Sequence, residues 1–274
     1  MQRVDLHLHT TASDGELAPA DLVWRARAIG LEAIAITDHD TTAGILEAQA
    51  TASHLLLVIP GIELSAESDK LDVHILGYFL NWQSDDFQAQ LTRFRDDRLK
   101  RGQRIVEKLA ALGLPVSWER VLAQADGGAV GRPHIARAMV EAGLVASVSE
   151  AFDRYLYTGG PAYVSRERLT PEAAVALIHR AGGAAVLAHP AVLPDYAAMV
   201  ERLVTAGLDG VEVVHPLNSE IVRDNLRGLA ARFGLVMTGG SDFHGSESEP
   251  LGSVTPPSGC VPALRERAAR YRQG

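Results

Sequence analysis

An α/β fold on a parallel sheet, open or closed into a barrel, is what the 274-residue chain predicts. Three observations carry that prediction. Short apolar runs alternate with stretches of helical length and period; the alternation breaks once, in mid-chain; and residues suited to hold metal ions gather at the ends of the apolar runs. Strands separated by helices favour parallel pairing, because each crossover returns the chain to the same end of the sheet.

Arg3 to His9 reads as the first strand. Pro19 to Ile29 reads as a helix opened by Pro19, whose missing N–H costs nothing in the first turn, and closed at Gly30. Glu32 to Thr37 is a second strand, Thr42 to Ser53 a second helix and Leu55 to Ile59 a third strand. Further strands are expected at Val73 to Phe79, Ala184 to Ala188, Gly210 to Val214 and Leu235 to Thr238. Helices are expected at Pro171 to Ala181, Asp195 to Ala206 and Ser219 to Phe233. From about Asp85 to Tyr163 the beat is lost. Phe87, Leu91, Phe94, Ile105, Leu109 and Leu112 keep helical spacing, Pro133 to Ala142 and Ser147 to Leu156 read as more helix, and no strand stands out. The expected division is a strand-bearing domain, residues 1–84 and 164–274, interrupted by a helical subdomain, residues 85–163. Pro250 to Gly259 reads as a surface loop before a final helix.

Composition narrows the function classes. With 47% hydrophobic and 22% charged residues, the chain can bury a core without covalent staples. Its one cysteine, Cys260, excludes an internal disulfide and a thiolate zinc site, and reads as inert. Met1-Gln2-Arg3 leads straight into a strand with no apolar leader, and no apolar run is long enough to span a bilayer, so a cytoplasmic protein is expected. A net charge of −8 argues against a broad basic surface for duplex DNA but leaves room for small anionic substrates. The run Arg93, Arg95, Arg98, Lys100, Arg101, Arg104 is interleaved with Asp96 and Asp97 and reads as a solvated, self-paired helix face. His54 and His179, on helices, are assigned no role.

The chemistry is concentrated elsewhere. In Asp5-Leu6-His7-Leu8-His9 alternate side chains share a face, so His7 and His9, about 6.6 Å apart along a strand, can converge on one ion. Asp242 and His244, in Gly239-Gly240-Ser241-Asp242-Phe243-His244, repeat that spacing. Asp38-His39-Asp40 ends the second strand, Glu63 follows the third, His74 lies in the fourth, and His189 and His215 end later ones. Parallel α/β folds place their chemistry at these strand ends. So many imidazoles and carboxylates would be costly to desolvate without cations between them, and mixed His and carboxylate donors suit zinc, manganese or iron. Gly131-Arg132-Pro133-His134 reads as a helix N-terminus able to receive phosphate.

Asp-Leu-His-Leu-His-Thr, Thr-Asp-His-Asp, Gly-Ile-Glu, the later single histidines and Ser-Asp-Phe-His stand in the order that resembles the polymerase and histidinol phosphatase (PHP) superfamily of metal-dependent phosphoesterases. The likeness covers the strand-bearing parts from Asp5 to His244. Within it, the chain is most similar to standalone members with a helical insert that hydrolyse nucleoside 3′,5′-bisphosphates, and to relatives that trim RNA 5′ ends. The resemblance implies a distorted (β/α)7 TIM-like barrel and two or three divalent ions, manganese foremost, with zinc, iron(II) or magnesium as alternatives. It implies His7, His9, Glu63 and Asp242 around one ion, Glu63, His74 and His134 around a second, and Asp14, His39 and His244 around a third. Some members carry His where this chain has Asp14. It further implies catalysis through Glu63 and Asp242 by a metal-activated hydroxide, with a small nucleotide or short oligoribonucleotide as substrate. Arg132 and His189 are candidates for holding phosphate or assisting the leaving group, His215 and Asn218 for contacting substrate, and Asp5 for orienting His7 or His9. The competing readings are a histidinol-phosphate phosphatase or other small phosphomonoesterase, and a non-catalytic metal-binding module.

Overall fold

In the computed structural model, residues 3–69, 71–125, 130–165, 169–245 and 250–272 are described; Met1 and Gln2, read above as part of a leaderless N-terminus, lie outside them. Seven strands form one sheet in chain order: β1 Val4–Asp5, β2 Ala33–Ile36, β3 Leu57–Ser68, β4 Leu71–Tyr78, β5 Ala184–Leu187, β6 Gly210–Val214 and β7 Val236–Gly239. The sheet nearly closes on itself. Past β1, the Leu6 N–H donates to the Gly239 carbonyl at 3.3 Å and the His9 N–H to the Phe243 carbonyl at 3.0 Å, while Leu8 and Phe243 form a parallel bridge. With its surrounding helices this is a distorted seven-stranded α/β barrel.

The parallel expectation fails at one strand. β4 runs antiparallel to both β3 and β5. Its pairing with β3 continues to Ser68 opposite Leu71, and the two residues between cannot make the crossover that parallel strands need. β3 is also longer than expected, running through Glu63, because it gains β4 as a hairpin partner. Reversal brings the first half of β4, with His74, to the end of the barrel where the other strands finish. His74 is therefore not at a strand's C-terminal end, yet it faces the same site.

The helices are α1 Pro19–Ala28, α2 Ile45–Ala52, α3 Asp85–Ala111, α4 Trp118–Ala125, α5 Arg132–Glu141, α6 Val148–Ala151, α7 Pro171–Arg180, α8 Tyr196–Thr205, α9 Glu220–Phe233 and α10 Cys260–Arg270. Local chemistry sets their limits. Thr170, Asp195 and Ser219 accept backbone N–H groups at the starts of α7, α8 and α9, and Gly234 ends α9 at a φ of 65° that favours glycine. Cys260 is buried and its thiol is pushed up to about 11 by burial, consistent with an inert side chain. His54 is exposed, whereas His179 is half-buried, with Nε2 3.0 Å from Asp209 and its ring stacked on Tyr271. Among the described residues, no helix is long and apolar enough to cross a membrane.

α3 spans two apolar clusters. Its Phe87 and Leu91 pack with barrel residues such as Ile62, Ile75 and Ile178, while Ile105 and Leu109 pack with Val121, Ile135, Met139 and Leu156 from the helices that follow. Between these ends, Arg98 and Arg101 are buried, which corrects the reading of the whole basic run as a solvated face. Arg98 Nε donates to Asp40 at 2.6 Å and Nη2 to Ser65 Oγ at 2.9 Å; Arg101 Nε donates to the Val164 carbonyl at 2.6 Å. Leu91, Phe94, Arg98, Arg101 and Ile105 lie at helical intervals, so both arginines fall on the apolar stripe itself. Removing one member of a buried pair leaves an uncompensated charge. Arg98→Met is expected to cost about 3–5 kcal/mol in chemical denaturation. Asp40→Asn in that background should add little, and full additivity of the two changes would show that the pair contributes no coupling.

Candidate metal centre and active site

Side chains at the finishing end of the barrel meet around one carboxylate. Glu63, on β3, is buried, with Oε2 3.2 Å from His7 Nε2, 3.2 Å from His9 Nε2 and 3.1 Å from His39 Nδ1. Its Oε1 lies 2.8 Å from His74 Nδ1 and 3.0 Å from His189 Nε2. β1 stops at Asp5, short of the expected His9, but the chain beyond it, bridged to Phe243 at Leu8, keeps the alternation: His7 and His9 turn inward while Leu6 and Leu8 join the apolar layers beneath the helices. Close approach of the segment after β7 to β1 completes it. A side chain at Gly240 would stand 2.2 Å from His7 Cβ, so only glycine brings Asp242 beside His7 and His9.

Donor atoms fall into groups of cation size. His7 Nε2 and His9 Nε2 are 3.3 and 3.2 Å from Asp242 Oδ1, and each is 3.2 Å from Glu63 Oε2. Tetrahedral ligands bound at about 2.1 Å stand about 3.4 Å apart, so this quartet has the spacing of a metal site. A second group is His9, Asp14, His39 and His244, with Asp14 Oδ1 3.7 Å from His9 Nδ1 and 3.4 Å from His244 Nε2. A third is His39, Glu63 and His74, and a fourth is His7, Glu212 and His215. Buried atoms in these groups lack hydrogen-bond partners, among them His7 Nε2, both ring nitrogens of His9, Asp14 Oδ1, Glu63 Oε2 and His74 Nε2. Orphaned donors and acceptors at such spacing fit divalent cations.

Charge follows the same pattern. Burial alone would push the Glu63 carboxyl up, but His39, His7 and His74 hold it well below the usual carboxylate range. Asp242, also raised by burial, is brought well below that range by His7, His215 and His9. Asp14 behaves likewise under His39 and His244. His244 is pushed up to about 10, the Asp14 carboxylate overcoming the effect of burial.

Other expected site residues are placed less centrally. His134 lies in the first turn of α5, where Nδ1 accepts the Gly131 N–H at 2.9 Å; it belongs to none of the four groups, and burial pushes it down to about 4. Arg132 donates to Asp72 at 2.8 Å and to the Leu156 carbonyl at 3.1 Å, with its guanidinium over the Phe152 ring. His215 Nε2 lies 3.5 Å from Asp242 Oδ2. Asn218 donates its amide to the carbonyls of Glu212 and Val213, at 3.1 and 3.0 Å. Asp5 meets no imidazole nitrogen but accepts the His7 backbone N–H at 3.4 Å. Its carboxylate accepts from Ser241 N and Oγ, at 2.9 and 2.6 Å, and from Gly252 N at 2.9 Å, which anchors the segment carrying Asp242.

Glu212, the partner of His7 Nδ1 at 3.1 Å, was not among the expected site residues. Its signal in the sequence is a carboxylate inside Val211-Glu212-Val213-Val214, costly to bury unless it is partnered.

Comparison with known proteins places this geometry in a family. The PHP domain model matches residues 5–175, and the chain belongs to that family. Its chemistry is metal-dependent hydrolysis of phosphoric esters. The chain is 40% identical over 247 residues to the 5′-3′ exoribonuclease Rnm of Salmonella typhimurium, covering 88% of this chain and 84% of that one. It is 34% identical over 279 residues to a 3′,5′-nucleoside bisphosphate phosphatase of Chromobacterium violaceum, covering 98% of each. Two solved structures superpose closely. One, from Bifidobacterium adolescentis and provisionally described as a metal-dependent phosphoesterase, gives a TM-score of 0.87 at 33% identity over 96% of both chains. The other, described as an amidohydrolase from Chromobacterium violaceum with bound sulfate and no metal, gives 0.88 at 32% identity over 97% of this chain and 96% of that one.

Manganese binding to the native state is expected to raise the melting temperature of metal-stripped protein. At free metal a hundredfold above Kd the gain is about 2.7 kcal/mol for one site. His9→Ala should lose most of this response, and a wild-type melting temperature indifferent to manganese would contradict the grouping.

Proposed function

We propose that the protein hydrolyses the 3′-phosphate of nucleoside 3′,5′-bisphosphates, such as adenosine 3′,5′-bisphosphate, releasing the nucleoside 5′-monophosphate and phosphate. What carries the reading is end-to-end similarity to the bisphosphate phosphatase, 98% of each chain, in a molecule whose imidazoles and carboxylates are grouped at metal spacing. In this reading the first quartet, the group around Asp14 and the group around Glu63 and His74 hold two or three divalent ions, manganese preferred, and the setting is the cytoplasm. Bound there, such ions neutralise phosphate oxygens and lower the pKa of water.

The chain's own residues supply order. Glu63 presents one oxygen to His7, His9 and His39 and the other to His74 and His189, fixing the spacing between groups. His189 is the candidate for holding the transferred phosphate or passing a proton to the departing 3′-oxygen. Arg132 is the candidate for meeting phosphate, and binding there requires it to share or leave Asp72. His215 is a further substrate contact, and so is Asn218, whose Oδ1 is left once its amide is committed to backbone carbonyls. Residues 85–163 act as an inserted helical subdomain, carrying Arg132 on α5.

Trimming of short 5′-phosphorylated RNA is a second activity, favoured by the 40% identity to Rnm. Both reactions break the bond between phosphorus and the 3′-oxygen of a 5′-phosphorylated nucleotide; only the group beyond phosphorus differs.

With added Mn²⁺, purified protein is expected to release phosphate from adenosine 3′,5′-bisphosphate and leave the 5′-monophosphate. Glu63→Ala should lower turnover at least ~100-fold, since loss of an outer partner alone removes 10–100-fold. Selective turnover of histidinol phosphate would overturn the substrate assignment, and full turnover by Glu63→Ala would overturn the role of that carboxylate.

A further inference from the structure

The most specific unassigned feature is a buried carboxylate that binds two parts of the centre at once. Glu212, on β6, is fully buried. Its Oε1 lies 3.1 Å from His7 Nδ1, and its Oε2 lies 3.4 Å from that nitrogen while accepting the His189 N–H at 2.7 Å. Among the described residues no Lys or Arg forms an ion pair with it. The two segments it joins are also in ring contact: His7 and His189 stack with centroids 5.8 Å apart and planes inclined by 21°.

We propose that Glu212 is a positioning residue that fixes the tautomer of His7 and the backbone turn of His189, so that both present Nε2 to Glu63. An ionised carboxylate can only accept, so when a cation takes the place of a proton on Nε2 the hydrogen that His7 keeps resides on Nδ1. The lone pair is then on Nε2, the atom that faces Glu63 and Asp242 at 3.2 and 3.3 Å. The other half of the carboxylate serves strained backbone. His189 has φ 25° and ψ 57°, in a region where residues other than glycine are uncommon, and its N–H bond to Glu212 holds that turn. The turn aims His189 Nε2 to within 3.0 Å of Glu63 and 3.2 Å of His74 Nδ1. Metal-binding histidines generally need such a partner on the opposite ring nitrogen.

Glutamine tests the assignment because it keeps the shape and removes one acceptor. Its single oxygen can serve His7 Nδ1–H or the His189 N–H, and its NH2 then faces the other donor. In Glu212→Gln, manganese affinity measured by calorimetry is expected to fall 10–100-fold with the number of bound ions unchanged. Nitrogen NMR of the zinc-loaded variant should show the His7 Nδ1–H signal shifted or weakened relative to the wild type. Unchanged affinity and an unchanged His7 signal in a folded variant would overturn the proposal. Loss of one equivalent of metal would overturn it in another way, making Glu212 a ligand within the His7, Glu212 and His215 group. Should the variant not fold, nitrogen NMR of the zinc-loaded wild type still decides: His7 bound through Nε2 with its hydrogen on Nδ1 supports the assignment, and binding through Nδ1 refutes it. None of these readouts depends on which phosphoester is the substrate.

Discussion

Burial of the Glu63 carboxylate is the constraint around which the barrel mouth is arranged. Five imidazoles, from His7, His9, His39, His74 and His189, bring a nitrogen within 3.2 Å of its two oxygens. Taking one anion and five heterocycles out of water has a high desolvation cost that hydrogen bonds among them only partly offset. Glu63 Oε2 and the nitrogens of His7, His9 and His39 that face it are all left without hydrogen-bond partners, which makes the site intelligible as a container for cations rather than as a folding device. Asp14, Asp242 and Glu212 extend the same arrangement outward, each ringed by further imidazoles.

Behind these donors stands a layer whose work is mechanical. Asp5 ties the segment after β7 through Ser241 and Gly252, and Asp38 gathers Thr10 N, Thr10 Oγ and Ser13 Oγ beside His39. Asp40 joins Ser65 N to Arg98, so the residue after His39 is bound both to the strand of Glu63 and to α3. A helix with one end in the barrel core and the other in a second apolar cluster is thereby fixed to the site at its middle.

Much of this was legible in sequence. The pairing of His7 with His9 follows from the period of two; Asp242 and His244 depart from it, since Asp242 turns at a φ of 55° and the two residues join different donor groups, and the positions of Asp14, His39, Glu63 and His74 followed from family order rather than from spacing alone. Strand direction was not legible, because periodicity is blind to it; the two residues between Ser68 and Leu71 decide it, and they became visible only once β3 was seen to run on past Ile59. Arg98 was missed because Asp96 and Asp97 offered a surface explanation, although its place on the apolar stripe of α3 argued otherwise. Glu212 was missed for lack of a motif. The placing of His134 and Arg132 depends on how residues 85–163 lie against the barrel, a long-range contact that no local pattern encodes.

The reversed strand has a consequence for how such a site can evolve. β3 and β4 are paired from Gly61 opposite Tyr78 to Ser68 opposite Leu71. A one-residue slip of that register would carry every side chain of β4 through the sheet, putting Val73 or Ile75 where His74 stands. Loops that follow the parallel strands can lengthen and diverge to suit new substrates, since they leave the register untouched. The register of the hairpin is what keeps His74 beside Glu63, and the loops after the parallel strands are where new contacts can be added without disturbing it.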